Sequence, residues 1–461
     1  MNGYPDLLVL GAGPCGLATA HHAQASGLQV QLVDAGSTAG GRMRTTHEIL
    51  DGQSLIVEHG PVGWAGPTPE TDAACQALAV PTIESDAADS HRYLVNQRQL
   101  VPLPQSISGL TSSNLLSMRE RLRAATEKWA DFAPDGTEET VEEFFTRRFG
   151  TSFSRKIAGP IVRGLFAGDP KVTSMRALFP QVADAELHYG SVTKAARQHP
   201  EIFGGKVTSC PGGVSQLAEA LATPLAEHTI YNCSVDAAIK EQGWWFLFRD
   251  GKQVAVGRQL AVCLPIHQLG YVLREYLPRG NDSIARFQGQ DLATVAVLHR
   301  ADRIPDPCAG FGVLAPIDHP SPVLGVQFAH SIFPQHVPDG WVLLRGMLGG
   351  DADPLVLQRS DAELVDLLSA DLETWVGAPR QPERSWVYRI PGGVPRYGLG
   401  HAKEAQALFD DLEKVSGLYL GSDALFGIGI EAALARGSSI ARAAKEELLT
   451  YSTEQAVPGS L

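Results

Sequence analysis

Apolar residues in this chain follow two patterns, short continuous runs near both ends and helical spacing in between. "LLVL" (residues 7–10) is the kind of run a buried parallel strand shows, and the Ala-rich stretch beyond it predicts a helix through Gln24. "QVQLVD" then predicts a second strand ending at Asp34. From Ser106 to about Lys194 the pattern turns helical: "NLLSMRERLRAATEKWADF" and "TVEEFFTRRFGTSFSRKIAGPIVRGLF" carry apolar residues at helical spacing with charges between them. Past residue 205, "CPGGVSQLAEALATPL" predicts a glycine turn and a helix, followed by several strands with a hairpin at Asp250-Gly251. Residues 267–385 mix strands, prolines and one helix, "DAELVDLLSADLETWVG". The chain closes with an apolar strand at 418–420, a polar turn and a long amphipathic helix. These changes predict an α/β protein: a discontinuous nucleotide-type domain (1–85, 205–266, 386–450), a sheet-based lobe (86–105, 267–385) and an inserted helical domain (106–204).

Composition narrows the function classes. A length of 461 residues with 44% hydrophobic content allows two or three domains, and 47 glycines without a period suggest tight turns and close backbone approaches to a ligand. A formal charge of −13 argues against nucleic-acid phosphates as a partner. The six cysteines (Cys15, Cys75, Cys210, Cys233, Cys263, Cys308) are widely spaced and no signal peptide opens the sequence, so free thiols in a reducing cytoplasm are expected. No apolar run reaches eighteen residues, and the scattered His319, His330 and His336 lack the spacing of a metal site, so none is expected.

The candidate chemistry begins with Gly11, Gly13, Pro14, Cys15 and Gly16, set between strand and helix. Glycines there permit a tight turn that seats a pyrophosphate on the helix N-terminus, and Asp34, at the end of the second strand, can accept ribose hydroxyls. Gly40, Gly41 and Arg42, with Thr45, stand where the flavin-enzyme form of this fingerprint has G-G-R-x-x-T; the arginine would face a phosphate or the flavin edge. At the far end, Asp423, Gly429 and Ile430 would bring a helix N-terminus toward the flavin. "GFGVLAP" leads into a proline instead of a helix and reads as a strand, so no separate NAD(P)H domain is expected.

Several stretches together resemble the oxygen-dependent protoporphyrinogen oxidases, FAD enzymes within the amine-oxidase-like group. They are "VEHGPVGW" (57–64), "HRYLVNQRQLVPLP" (91–104), "IVRGLFAGDPKVTSMRALFP" (161–180), "CPGGVSQLAEAL" (210–221), "GFGVLAP" (310–316) and "GGVPRYGLGH" (392–401). The resemblance implies a Rossmann-like FAD-binding domain of the glutathione-reductase and amine-oxidase kind, a mixed-sheet substrate domain and a helical domain able to rest on a membrane. It implies removal of six electrons from a porphyrinogen, with O2 as acceptor and hydrogen peroxide as by-product, and it is compatible with a homodimer. Gly60, Pro61 and Val235 join the residues expected to hold FAD. Arg92 would pair with a substrate propionate, and the Gly164 carbonyl would face a pyrrole N–H. No cysteine follows Cys308, so a noncovalent FAD is expected.

Two other readings stay open at this level. One is a relative recruited to oxidise a non-porphyrin cyclic metabolite; the other is a flavin-binding protein without catalysis. Glu431 departs from the expected pattern, because a carboxylate beside reduced flavin is unhelpful unless it faces away.

Overall fold

In the computed structural model, the strand Leu7–Leu10 is the centre of a five-stranded parallel sheet. The residues described are 3–66, 68–85, 91–96, 99–104, 109–110, 113–134, 137–198, 206–277, 284, 287–305 and 308–450. Val30–Val33 and Gln259–Val262 flank the central strand, with Thr229–Ile230 and Leu418–Leu420 at the edges. Leu7 and Val9 point into one core, Leu8 and Leu10 into a second, which is why this strand is apolar throughout. The helix Pro14–Ala25 covers the first face and meets the C-terminal helix Ile430–Thr450 at Gly437, where a Cβ would lie 2.6 Å from both the Ala18 Cβ and the Cys15 carbonyl oxygen. Only glycine allows these helices to touch.

A second sheet has seven strands, in the order Arg384–Pro395, Gly289–Arg300, Trp341–Gly349, Val323–Phe328, Gly312–Leu314, Arg92–Asn96 and Gln99–Pro102. The helix Asp361–Val376, opened by a reciprocal Ser360/Glu363 capping box and closed by Gly377 at φ +70°, buries Leu364, Leu368 and Leu372 against it. Sheet membership departs from expectation at one boundary. The strand starting at Arg384 stays paired with Gly289–Arg300 as far as Pro395, past residue 386. A bulge opposite Asp291, with Gly392 at φ +55°, accommodates Gly392 and Gly393 within the strand.

The helical section is also more broken than its periodicity suggests. The run at 141–166 divides into Val141–Phe149, a π turn at Ser154–Ala158 and Gly159–Phe166, because Gly150 at φ +95° ends the first piece. A charge cluster fixes these helices: fully buried Arg148 bonds the carboxylates of Glu127 and Glu186, while Glu127 also accepts from Ser191 Oγ and the Val192 amide. Removing one member would strand a buried charge. Among the described residues no helix is long and apolar enough to cross a membrane. Ser106 and the junctions expected at 85/86 and 204/205 touch or lie among residues outside those described.

Candidate active site

The glycine turn is built by exclusion. A Cβ on Gly16 would sit 1.8 Å from the Gly11 carbonyl oxygen, and Gly11 itself has φ +103° with the Cys263 carbonyl 2.4 Å from its Cβ position. Gly13 differs: its φ of −73° suits any residue, and a Cβ there meets nothing within 4 Å. Open space therefore lies directly over the first helix, whose N-terminus has no side-chain cap and no acid in its first turn. Pro14 at its first position and Cys15 below complete an anion seat that fits a pyrophosphate.

Asp34 is pinned at the edge of this seat by the Ala12 and Gly36 amides, each 2.6 Å from one carboxylate oxygen. Each oxygen keeps acceptor capacity for a hydroxyl. Backbone bonds from Asn232 to Gly36 and from Cys233 to Asp34 bring the segment that carries half-buried Val235 to the same edge. Gly40 donates to the Ala12 carbonyl, and Gly41 packs so tightly on Gly13 that its Cβ would be 3.0 Å from the Gly13 Cα. The two glycine turns form one unit.

Arg42 leaves that unit toward the C-terminal loop, where it pairs with Asp423 at 2.7 Å and donates to the Gly392 carbonyl at 2.6 Å. Gly427 and Gly429, at φ +94° and +124°, shape the turn into the C-terminal helix at Ile430. Glu431 does not line the cavity below; its carboxylate turns back on Gly429 and takes the Ala65 amide at 3.3 Å.

Between these turns and the seven-stranded sheet opens a cavity of about 990 Å³. Arg42, Gly60, Pro61 and the loop at 424–429 form one side, Thr294, Gln327, Arg345 and Met347 the sheet side, and Leu165 and Phe166 the helical side. Arg345 is the residue that sequence reading missed; the signal was a charge in the otherwise apolar strand Trp341–Gly349. Its guanidinium is buried among neutral acceptors, the Glu58, His59 and Gly60 carbonyls and Gln327 Oε1. Burial pushes it down to about 10, which leaves it a cation at neutral pH. Burial likewise pushes the Glu58 carboxyl up to about 7, against the Thr45 hydroxyl and Val214 amide that donate to it.

Register places Arg92 in relation to this cavity. Arg345, Gln327, Gly312 and Arg92 are consecutive cross-strand partners, so they share one sheet face, with Arg345 and Arg92 three strand spacings apart, about 14 Å. Arg92 does not line the cavity itself; its guanidinium lies 4.5 Å over the Phe311 ring. Gly164 also stands back from the cavity, as a Cβ there would collide with Leu314 Cδ2 at 2.4 Å. Its visible task is close packing of the helix Gly159–Phe166 on the sheet, which sets Leu165 and Phe166 at the cavity wall.

Residues 14–445 match the family model described as flavin containing amine oxidoreductase. The chain belongs to that family. As a flavin oxidoreductase it uses FAD, and the open seat at Gly13 fits that group. It is 24% identical to the chloroplastic protoporphyrinogen oxidase of Nicotiana tabacum, over 92% of this chain and 82% of that protein. It is 22% identical to the coproporphyrinogen III oxidase of Bacillus subtilis, over 98% and 99%. Among solved structures, one from Exiguobacterium sp. 255-15 that carries the name protoporphyrinogen oxidase superposes with a TM-score of 0.82 at 22% identity, covering 97% of this chain and all of the other. A reduced UDP-galactopyranose mutase superposes at 0.75 with 16% identity, covering 98% and 96%. These likenesses show a shared flavoenzyme fold.

Two predictions follow from this geometry. Gly13→Leu fits the backbone and the space, so the variant should lose flavin absorbance while keeping the melting temperature of the flavin-free wild-type protein; full flavin content would remove Gly13 from the phosphate seat. Glu58 has a folded value above its ordinary 4.5, so its contribution to stability is full below about 4.5 and is lost as pH rises to about 7. Glu58→Gln should remove on the order of 3 kcal/mol of that decline. Urea unfolding of both proteins across this pH range checks it, and parallel curves would refute the assignment.

Proposed function

We propose that this flavin oxidoreductase dehydrogenates a porphyrinogen, protoporphyrinogen IX or coproporphyrinogen III, in haem biosynthesis. The observation that carries the reading is the cavity: about 990 Å³, mostly apolar, large enough to take the cofactor's ring at its Arg42–Pro61 end and a flat substrate beside it, and bordered by a sheet face that reaches Arg92. A flat apolar macrocycle with carboxylate arms suits such a surface. The names of the Nicotiana and Bacillus relatives support the same substrate class.

In this reading FAD, held noncovalently, supplies the two-electron acceptor chemistry. The chain's own groups bind and orient. Arg92 holds a propionate by a charge-assisted pair, and the helix Gly159–Phe166 offers the Gly164 carbonyl to a pyrrole N–H. Leu165, Phe166 and Met347 exclude water, and the packed walls keep a methylene C–H oriented toward the cofactor's ring. Each turn removes two electrons and two protons from the substrate and converts one O2 to hydrogen peroxide, so six electrons require three turns. The protein works in the cytoplasm, and exposed Met118, Leu122 and Trp129 on the helical section support peripheral contact with lipid.

Aerobic turnover of the FAD-loaded protein with each porphyrinogen, followed by porphyrin fluorescence above the auto-oxidation control, tests the reaction. Fast formation of one porphyrin is expected; no turnover, with flavin still oxidised in an anaerobic mixture, would end the porphyrinogen reading. Arg92→Ala should raise KM for the carboxylate-bearing substrate about tenfold or more with FAD retained. Unchanged KM would take Arg92 out of the site.

A further inference from the structure

Three arginines line the cavity, and their compensation differs. Arg42 is paired with Asp423, and Arg176, exposed on the helical side, with Asp184 at 3.2 Å. Arg345 has no carboxylate within ion-pair distance among the described residues; the Glu58 carboxyl, pushed up by burial to about 7, interacts with it electrostatically and offsets its charge only in part. Its Nε donates to the Glu58 carbonyl at 2.9 Å, its Nη2 to the His59 and Gly60 carbonyls and, at 3.5 Å, to Thr294 Oγ1, and its Nη1 to Gln327 Oε1.

A buried cation bonded only to neutral acceptors is costly, and the part of its charge that the Glu58 carboxyl does not offset keeps its field. That field falls on the end of the cavity where the cofactor's ring belongs. The dinucleotide starts at Gly13, the Gly40-Gly41 turn is packed against Gly13, and Arg42, the next residue, is already part of the cavity wall. Gly60 and Pro61 follow along the same side, and Arg345 is bonded to the Gly60 carbonyl. The other expected source of positive potential is weakened: Glu431 occupies the first turn of the C-terminal helix and offsets its dipole.

We propose that Arg345 is the fixed positive charge that stabilises the reduced flavin ring, held in position by the 58–60 backbone and Gln327. Uptake of two electrons and one proton leaves the ring with one negative charge, which this guanidinium favours over the neutral oxidised ring. Arg345 is thus a positioning and tuning residue for the cofactor. The inference rests on the FAD assignment and is independent of the porphyrinogen reading.

The test is the midpoint potential of bound FAD, measured in the full chain by equilibration with a reference dye, together with flavin content and melting temperature. Arg345→Gln should retain FAD and lower the reduced-to-oxidised ratio at a given potential at least tenfold, about 30 mV for a two-electron couple. Arg345→Lys, which keeps charge without the fork, should recover most of that shift even where stability falls. If Arg345→Gln does not hold FAD, Gln327→Glu, which sets a carboxylate against the intact guanidinium, is read instead and should give the same shift. A wild-type potential in the variant that holds FAD overturns the proposal, as do equal shifts for Gln and Lys. A wild-type potential with raised KM for a carboxylate substrate would assign Arg345 to the substrate and overturn it too.

Discussion

The position of the Gly11 carbonyl against Gly16 governs everything downstream in this molecule. With 1.8 Å between that oxygen and a Cβ position, the first helix can begin at Pro14 only if residue 16 has no side chain. Given that contact, the helix axis is fixed, Gly13 faces open space, and Gly41 can settle on Gly13 to carry Arg42 toward the C-terminal loop. The same economy recurs at Gly437, where the last helix meets the first. Absent side chains thus join the two ends of the chain around one anion seat.

The second sheet is joined to this unit by polar atoms that are expensive to bury. Arg345 reaches from the strand Trp341–Gly349 to three successive carbonyls at 58–60, and Glu58 reaches the other way to Thr45 and the Val214 amide. Buried charge costs several kcal/mol per ion, which these bonds offset only while every partner is in place. Such an arrangement resists sliding between the sheets, so the cavity they enclose keeps its shape without a disulfide. All six cysteines are free and buried.

How much of this was legible in the sequence follows from the range of the interactions. The strands Leu7–Leu10 and Leu418–Leu420, the helix Asp361–Val376 and the Asp250-Gly251 hairpin are set by local pattern, turn chemistry and capping, and each was legible. Residues 386–395, expected with the nucleotide-type domain, pair with the second sheet instead, because a bulge lets the strand Arg384–Pro395 run on through Gly392 and Gly393. The run at 141–166 kept its apolar period across Gly150, so periodicity could not register the break. At the site, the glycines and Asp34 were legible: Gly11, Gly16, Gly40 and Gly41 stand where backbone geometry or close packing demands glycine, whereas Gly13 and Asp34 are marked only by their places in the strand-turn-helix-strand pattern. Arg345 was not, since its meaning depends on carbonyls some 285 residues away in sequence.

That asymmetry has a chemical reason. An enzyme whose cofactor takes the electrons needs no side-chain nucleophile or proton relay of its own; it needs a seat, a shaped void and a field. Seats are made of glycine and helix ends, and voids of whatever apolar side chains pack well. Only the field calls for a particular charge, and a charge acts from wherever the fold holds it. In this chain two cavity arginines are ion-paired with acids, and the third is hydrogen-bonded to neutral acceptors, with the Glu58 carboxyl offsetting its charge only in part. Neutral acceptors meet its hydrogen bonds while Glu58 offsets its charge only in part, so a positive field remains at the cavity from a residue that no local motif marks.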